Sequence, residues 1–242
     1  MKNLIKKILK TFGVLVKRYP DLDLSRRYKL VNYHSIDIIL DIGANSGQFG
    51  LQMRDIGYTD TIISFEPLKT AYNELIRKSP GDKKWFKYNF ALGNEEGMAL
   101  INISKNSYSS SLLQILPLHL NGDPDSEYIG QEEIEIRKLD SVFKSVCLGK
   151  KHIMVKIDTQ GYEMKVLEGS ASSLPFITLL QIEMSLVQLY EGEILYNRMF
   201  EFLQSKGFEL WSVENGFYDM KTGRLLQFDC IFYNTNAEEI LV

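Results

Sequence analysis

Four acidic residues stand at the ends of apolar runs in this chain: Asp41 in "DIILDIG", Glu66 in "IISFEP", Asp158 in "IMVKID" and Glu183 in "LLQIEM". In an open α/β sheet such positions face the crevice beyond the carboxyl ends of the strands, where ligands bind. After Asp41 comes "IGANSGQFG", with Gly43 and Gly47 where the backbone must bend or be approached closely before a helix begins. Strand, tight turn and helix in that order make the shape of a nucleotide site.

The residues narrow the choice of nucleotide. A dinucleotide fingerprint requires G-x-G-x-x-G, and here Asn45 takes the second glycine place. A carboxylate at Asp41 repels pyrophosphate and attracts an ammonium. Glu66, 25 residues later, can accept both hydroxyls of a ribose. S-adenosylmethionine has an ammonium, a carboxylate and a sulfonium but no phosphate, and is the expected cofactor. Asp41, Gly43, Asn45, Gly47 and Glu66 are expected to hold it, with the small Ala91 of "NFALG" beside the adenine. The bland alternatives are a turn-capping role for Asp41 and an ordinary strand terminus at Glu66.

A sulfonium methyl is already activated, so the remaining task is to align an acceptor oxygen and remove its proton. Asp158 and Glu183, expected on neighbouring strands, can do either. They can also bind magnesium, whose hard oxygen ligands they would supply, or be structural; no protein-bound metal is expected as the leading reading. Glu163 reads as an acid favoured by the first turn of a helix. His34, His119 and His152 lack metal-ligand spacing. Of these only His119 lies in the long interval below, as a general base or a solvated loop histidine.

These groups need a framework. Strands are expected near 37–41, 61–65, 85–90, 153–157, 177–183, 208–213 and 227–233, with helices between most of them, which gives parallel strands and crossovers. Phe49, Met53 and Ile56 recur at helical spacing with Gly57 as the stop, and Pro67 is expected in the first turn of the next helix. About 60 residues separate the third and fourth strands, more than a crossover needs. There "MALINIS" and "EEIEIRKLD" alternate like strands around a serine-rich piece, so 98–138 is expected to bind the acceptor, with Ser109, Ser110 and Ser111 as candidates. Phe217, Tyr218, Phe228 and Phe232 read as core residues of a hairpin.

The chain resembles the FkbM-type methyltransferases over about residues 36–235, through "DIGANSGQF", "SFEP", "ALGNEEG", "KIDTQGYEMKVLEGS", "QIEMS" and "LLQFDCIFYN" in order. The resemblance implies a class I, Rossmann-like fold: a seven-stranded, mostly parallel sheet with helices on both faces and the last strand antiparallel. It implies methyl transfer from S-adenosylmethionine to oxygen, commonly a hydroxyl of a sugar, lipid or polyketide. One departure stands out, since the fourth-strand block usually reads closer to D-V-E-G-x-E, whereas Thr159 and Gln160 lie here between Asp158 and Gly161. A sugar or glycan-precursor acceptor and no nucleic acid are the expected partners. The alternatives are a nicotinamide-dependent sugar epimerase or reductase, whose Tyr-x-x-x-Lys pair is missing where expected, and a membrane-recruited module without turnover.

Composition fits one globular domain: 45% hydrophobic and 24% charged residues, net charge -3. The charge is uneven. Residues 1–30 hold nine Lys or Arg against Asp21 and Asp23, so they carry +7 and the rest -10. Leu4, Ile5, Ile8, Leu9, Phe12, Leu15 and Val16 fall on one helical face and six basic residues on the other, with Val14 the exception. Residues 1–30 are therefore expected to be a basic amphipathic segment apart from a catalytic domain at 31–242. It either packs on that domain or carries it, through residues 1–19, to an anionic membrane surface. Two distant cysteines, no apolar run of membrane length and no signal-peptide pattern lead to the expectation of a cytoplasmic protein.

Overall fold

The structure, a computed structural model, describes residues 11, 13 and 19–238. Apart from residues 11, 13 and 19, the expected basic amphipathic helix lies outside the described residues. The first long element is α1 (Leu22–Tyr33), whose N-cap Asp21 accepts a hydrogen bond from the Leu24 amide at 2.8 Å, the arrangement that satisfies an otherwise orphaned amide at a helix start. α1 runs across residue 30, where the sequence suggested a boundary.

Seven strands form the main sheet: β1 (Ile38–Ile42), β2 (Thr61–Phe65), β3 (Trp85–Tyr88), β7 (Ile153–Ile157), β8 (Ile177–Ser185), β9 (Phe208–Asn215) and β10 (Gln227–Asn234). Their order is β3-β2-β1-β7-β8-β10-β9, with β10 antiparallel to both neighbours and the other pairings parallel. All seven expected runs are strands. β1 and β7 are buried along their whole length, as helices on both faces require, which is why they read as continuous apolar runs.

Side-chain alternation splits the core in two. Ile38, Leu40 and Ile42 face a cluster with α5 (Leu139–Val146), α6 (Glu163–Glu168) and α7 (Tyr196–Ser205), through Phe143, Val166 and Leu203 among others. Ile39 faces the opposite cluster, in which Val31 of α1, Phe49 and Met53 of α2 (Gln48–Asp55) and Leu75 of α3 (Lys69–Lys78) pack on Met154 and Leu179. α3 starts at Lys69, so Pro67 lies outside the helix, contrary to expectation. Helix entry there uses the Glu66 side chain, which accepts from the Leu68 amide at 2.9 Å.

The long interval forms a second sheet. β5 (Gly97–Ser104) and β6 (Tyr128–Arg137) pair antiparallel, and the two-residue β4 (Ala91–Leu92) joins β6 in parallel. Ile101, Ile134 and Ile136 pack with Leu68, Ala71 and Ala91. This anchors the insert beside the end of β2, and the segment between β5 and β6 carries the short helix α4 (Pro117–Gly122).

Candidate active site

The chain enters the sheet at β1 and moves outward to β3, then returns to add β7 on the other side of β1. That reversal opens a crevice at the carboxyl ends of β1 and β7. A cavity of about 390 Å³ lies there. Toward β2 its wall is Phe65, Leu68, Ala91, Leu92 and Ile101 with Glu66; toward β7, β8 and β10 it is Lys156, Asp158, Gln181, Glu183 and Asp229.

The turn after β1 is bound to the end of β2. The amides of Gly43 and Ala44 both donate to the Phe65 carbonyl at 3.1 Å, and the Asn45 amide donates to Glu66 Oε2 at 2.8 Å. Glu66 thus spends one oxygen on each of two backbone segments and still lines the cavity. Burial pushes its pKa up to about 7. Gly43 has φ +76, and a Cβ there would stand 1.9 Å from the Asp158 carbonyl oxygen, so only glycine lets this turn close on the end of β7. Asn45 takes a left-handed conformation, φ 47, and its side chain reaches over to the Ser107 carbonyl at 3.1 Å, joining the turn to the insert.

Two members of the expected cofactor set stand elsewhere. Asp41 is wholly buried and does not line the cavity, so it is not placed to meet an ammonium. It accepts from Ser64 Oγ at 3.1 Å and lies 3.7 Å from Lys156 Nζ. Strand register explains this: Ser64, Asp41, Lys156 and Gln181 are successive partners across β2, β1, β7 and β8. Asp41 therefore offsets a lysine carried into the sheet centre. Gly47 is also off the cavity; a side chain there would meet Leu75 Cδ1 at 2.5 Å, so its glycine serves the packing of α2 on α3.

At the other end, Lys156 donates to Asp158 Oδ2 at 3.1 Å. Burial opposes its charge, but Asp158 and Asp41 outweigh burial and hold its pKa above the ordinary value. Gln160, left-handed at φ 56, donates its amide to Asp158 Oδ1 at 2.8 Å and to Glu183 Oε2 at 2.9 Å. Its carbonyl accepts from the buried Tyr190 hydroxyl at 2.7 Å, which fixes the amide orientation. Gln227 adds a second donor to Glu183 Oε2 at 3.0 Å. Burial, followed by the nearby Asp158 and Asp229 charges, raises the Glu183 pKa well above the usual carboxylate range. Burial and Asp158 likewise push Asp229 up to about 6. Glu163 folds back to accept from the Thr159 and Gly161 amides at 2.8 and 3.2 Å, pinning the turn that carries Gln160.

The structure thus brings Gly43, Asn45, Glu66, Ala91, Asp158, Glu183 and Ser110 to one cavity. Ser109 and His119 line a second one, and Ser111 lines neither: its hydroxyl donates to the Gln160 backbone carbonyl at 2.7 Å. His119 is buried rather than solvated, and burial lowers its pKa to about 4. Phe217 belongs to the second cavity, and Tyr218 is exposed rather than core. Sequence reasoning missed Arg27, Lys156, Gln181 and Asp229. A lysine interrupting the apolar run "IMVKID" was the one visible signal. Arg27 reaches the cavity from α1, paired with Glu214 and 5.1 Å over the Phe49 ring.

The strand order with its final antiparallel strand, and a cavity at the ends of β1 and β2, define a class I methyltransferase fold. The chain belongs to the FkbM methyltransferase family: the methyltransferase FkbM domain matches residues 41–210, well over half of its length. The nicotinamide-dependent alternative falls with that assignment. Comparison with the curated proteins finds no match. Among solved structures, an uncharacterized protein from Listeria monocytogenes serotype 4b superposes with TM-score 0.50 at 10% identity, covering 92% of this chain and 70% of that one. M. capricolum TrmK in complex with S-adenosylhomocysteine gives 0.49 at 9%, covering 93% and 73%. Aeropyrum pernix fibrillarin with natively bound S-adenosylmethionine gives 0.44 at 12%, covering 80% and 66%. No helix among the described residues is long and apolar enough to cross a membrane.

Proposed function

We propose that the chain binds S-adenosylmethionine in the 390 Å³ cavity and methylates a hydroxyl of a sugar in a glycan or glycan precursor. The observation that carries this reading is the cavity's division. An apolar slot with one carboxylate suits adenine and ribose, and a polar end where Asp158, Glu183 and Asp229 outnumber Lys156 and Arg27, the latter already paired with Glu214, suits a cationic sulfonium and ammonium. Burial first and the neighbouring Asp158 charge second raise the pKa values of Glu183 and Asp229, so a cation placed beside them would favour their ionised forms.

When bound, S-adenosylmethionine supplies a methyl group activated for direct displacement. The chain's own residues have two tasks. Glu66, the Gly43–Asn45 turn and Ala91 orient the nucleoside. Asp158 and Glu183, held apart by the Gln160 amide, position the acceptor hydroxyl and take its proton as the new oxygen–carbon bond forms. Gln160 donates to both carboxylates from the space a cation between them would use, so the reading assigns the protein no metal; a chelator should leave turnover unchanged, and restoration by magnesium after chelation would reverse that assignment.

The test is transfer of radiolabelled methyl to a panel of neutral glycosides, followed by mild alkali. Alkali-stable label in the carbohydrate is expected, as for a methyl ether. Alkali-labile label, label on nitrogen, or none with any acceptor contradicts it. The reading extends to the membrane surface, supported by the segregation of basic from apolar residues in positions 1–19. Sedimentation with anionic but not neutral vesicles is the expected result; equal indifference to both would remove that part.

A further inference from the structure

A second cavity, about 400 Å³, opens beside the first and shares Tyr108, Gln160 and Glu183 with it. Its other lining residues are Asn106, Ser109, His119, Asp123, Asp125, Phe217 and Gln227. Gln160 and Glu183 form the partition, so whatever occupies this chamber meets the Glu183 carboxylate and the Gln160 amide that ties it to Asp158, from the side opposite the nucleoside wall.

The chamber is built, not a loose gap in a loop. Asn106 donates to Asp123 Oδ2 at 2.8 Å, to Ser109 Oγ and Ser126 Oγ at 3.1 Å, and accepts from the Ser109 amide at 3.0 Å. Ser109 and Ser126 hydroxyls are 2.8 Å apart. The His119 ring lies edge-on to Tyr190 and tilted on Phe217, both centroids at 5.1 Å. Its Nδ1 has no hydrogen-bond partner among the described residues.

Charge decides what such a chamber takes. Three carboxylates line it and no Lys or Arg does. Lys105 stands nearby, but its ammonium is committed to Asp125 at 2.6 Å. With its pKa lowered to about 4, His119 is neutral at pH 7. A phosphate or carboxylate would enter with no counter-charge among the lining residues and would face Asp123 and Glu183. Hydroxyl groups suit it better, because Asp123 Oδ1 has a single partner and can accept again, His119 Nδ1 is unpartnered among the described residues, and Phe217 and Tyr108 offer rings for the apolar face of a saccharide.

Resting on the function proposed above, we infer that this second chamber is the acceptor subsite, that it takes an uncharged polyhydroxylated ring, and that it rejects acceptors bearing phosphate there, including nucleic acid. Ser109, Asp123 and Phe217 are its specificity-determining residues.

The test uses the full-length protein saturated with S-adenosylhomocysteine and saturation-transfer NMR with methyl glycosides of common hexoses and deoxyhexoses at 10 to 50 mM, a range set by roughly millimolar affinity. The matching 6-phosphates, uronates and a short RNA are run beside them. At least one neutral glycoside should receive saturation, with every anionic counterpart at least tenfold weaker. Phe217→Ala should abolish the signal, and Asp123→Asn should narrow the gap between neutral and phosphorylated rings at least threefold. Stronger binding by a phosphorylated sugar or by RNA, no signal from any glycoside, or a signal untouched by both substitutions overturns the inference. Calorimetric titration of S-adenosylhomocysteine into the same samples separates the two claims. If the wild type does not bind it, the proposed function has failed; if all variants bind it as wild type does, loss of glycoside binding is local and not unfolding.

Discussion

The least expected feature at the scale of single residues is the division of labour among the acids. Asp41, which sequence spacing directs at the cofactor, serves the lysine one strand over. Asp41→Asn removes one of the two carboxylates within ion-pair distance of Lys156, so it should cost about 1 to 3 kcal/mol of stability. Affinity for S-adenosylhomocysteine should change by less than about threefold, on the order of 0.6 kcal/mol. Denaturant unfolding and calorimetry check the two halves, and a large loss of affinity in a stable variant would return Asp41 to the ligand. Asp158→Asn should instead lower turnover by about 10² to 10⁴ with cofactor binding near wild type. Gln160→Ala removes the amide that bridges the two carboxylates and leaves the Tyr190 hydroxyl its longer bond to the Ser109 carbonyl, 3.3 Å, yet touches no nucleoside wall. It should lower kcat about tenfold or more while sparing cofactor affinity, and Gln160→Asn, too short to span both partners, should not rescue it. None of this bridging was legible beforehand. Which side chain meets Asp158, Glu183 and Tyr190 together depends on strand register and on a left-handed turn, neither of which has a local signature at a glutamine.

At the scale of elements, the strands were legible because those of a sheet covered on both faces are apolar throughout, and the turn after β1 because two glycines punctuate it. The strands of the insert were legible as well, from their alternation. The site contribution of α1 was not. A charge count assigns residues 1–30 to a separate segment, and nothing local in "LDLSRRYKL" tells that Arg27 turns inward to Glu214, 187 positions away. The β1 turn gives a controlled test. Gly43 and Gly223 have nearly the same positive φ, +76 and +73, but a Cβ at Gly223 meets nothing within 4 Å, whereas at Gly43 it meets the Asp158 backbone. Gly223→Ala should cost only the left-handed strain, about 1 to 2 kcal/mol. Gly43→Ala should cost more than that and abolish S-adenosylhomocysteine binding, because the turn and the end of β7 must part. Equal unfolding midpoints for the two variants would contradict the close approach.

The whole molecule buries acids at the carboxyl end of its sheet, and that sets its pH response. Glu66 and Asp229, with pKa values near 7 and 6 in the fold, stay protonated where their ordinary values of 4.5 and 3.8 would have them ionised. The native state therefore binds more protons than the unfolded chain between about pH 4 and 7, and ligand-free stability should fall as pH rises through that window. Thermal unfolding should show a midpoint lower at pH 7.5 than at pH 5.5; the opposite order would contradict the assignment. Binding a cation at the polar end should expel the Asp229 proton, so S-adenosylmethionine should bind with proton release near pH 6, seen as a heat that depends on buffer ionisation enthalpy.

The most direct measurement is a crystal structure of the protein with S-adenosylhomocysteine. The account predicts the nucleoside in the cavity at the ends of β1 and β2, both ribose hydroxyls on Glu66, the adenine between Leu68 and Ala91, and the sulfur turned toward Asp158 and Glu183. A nucleoside bound with its ribose away from Glu66, or in the chamber of Phe217 and His119, would contradict it.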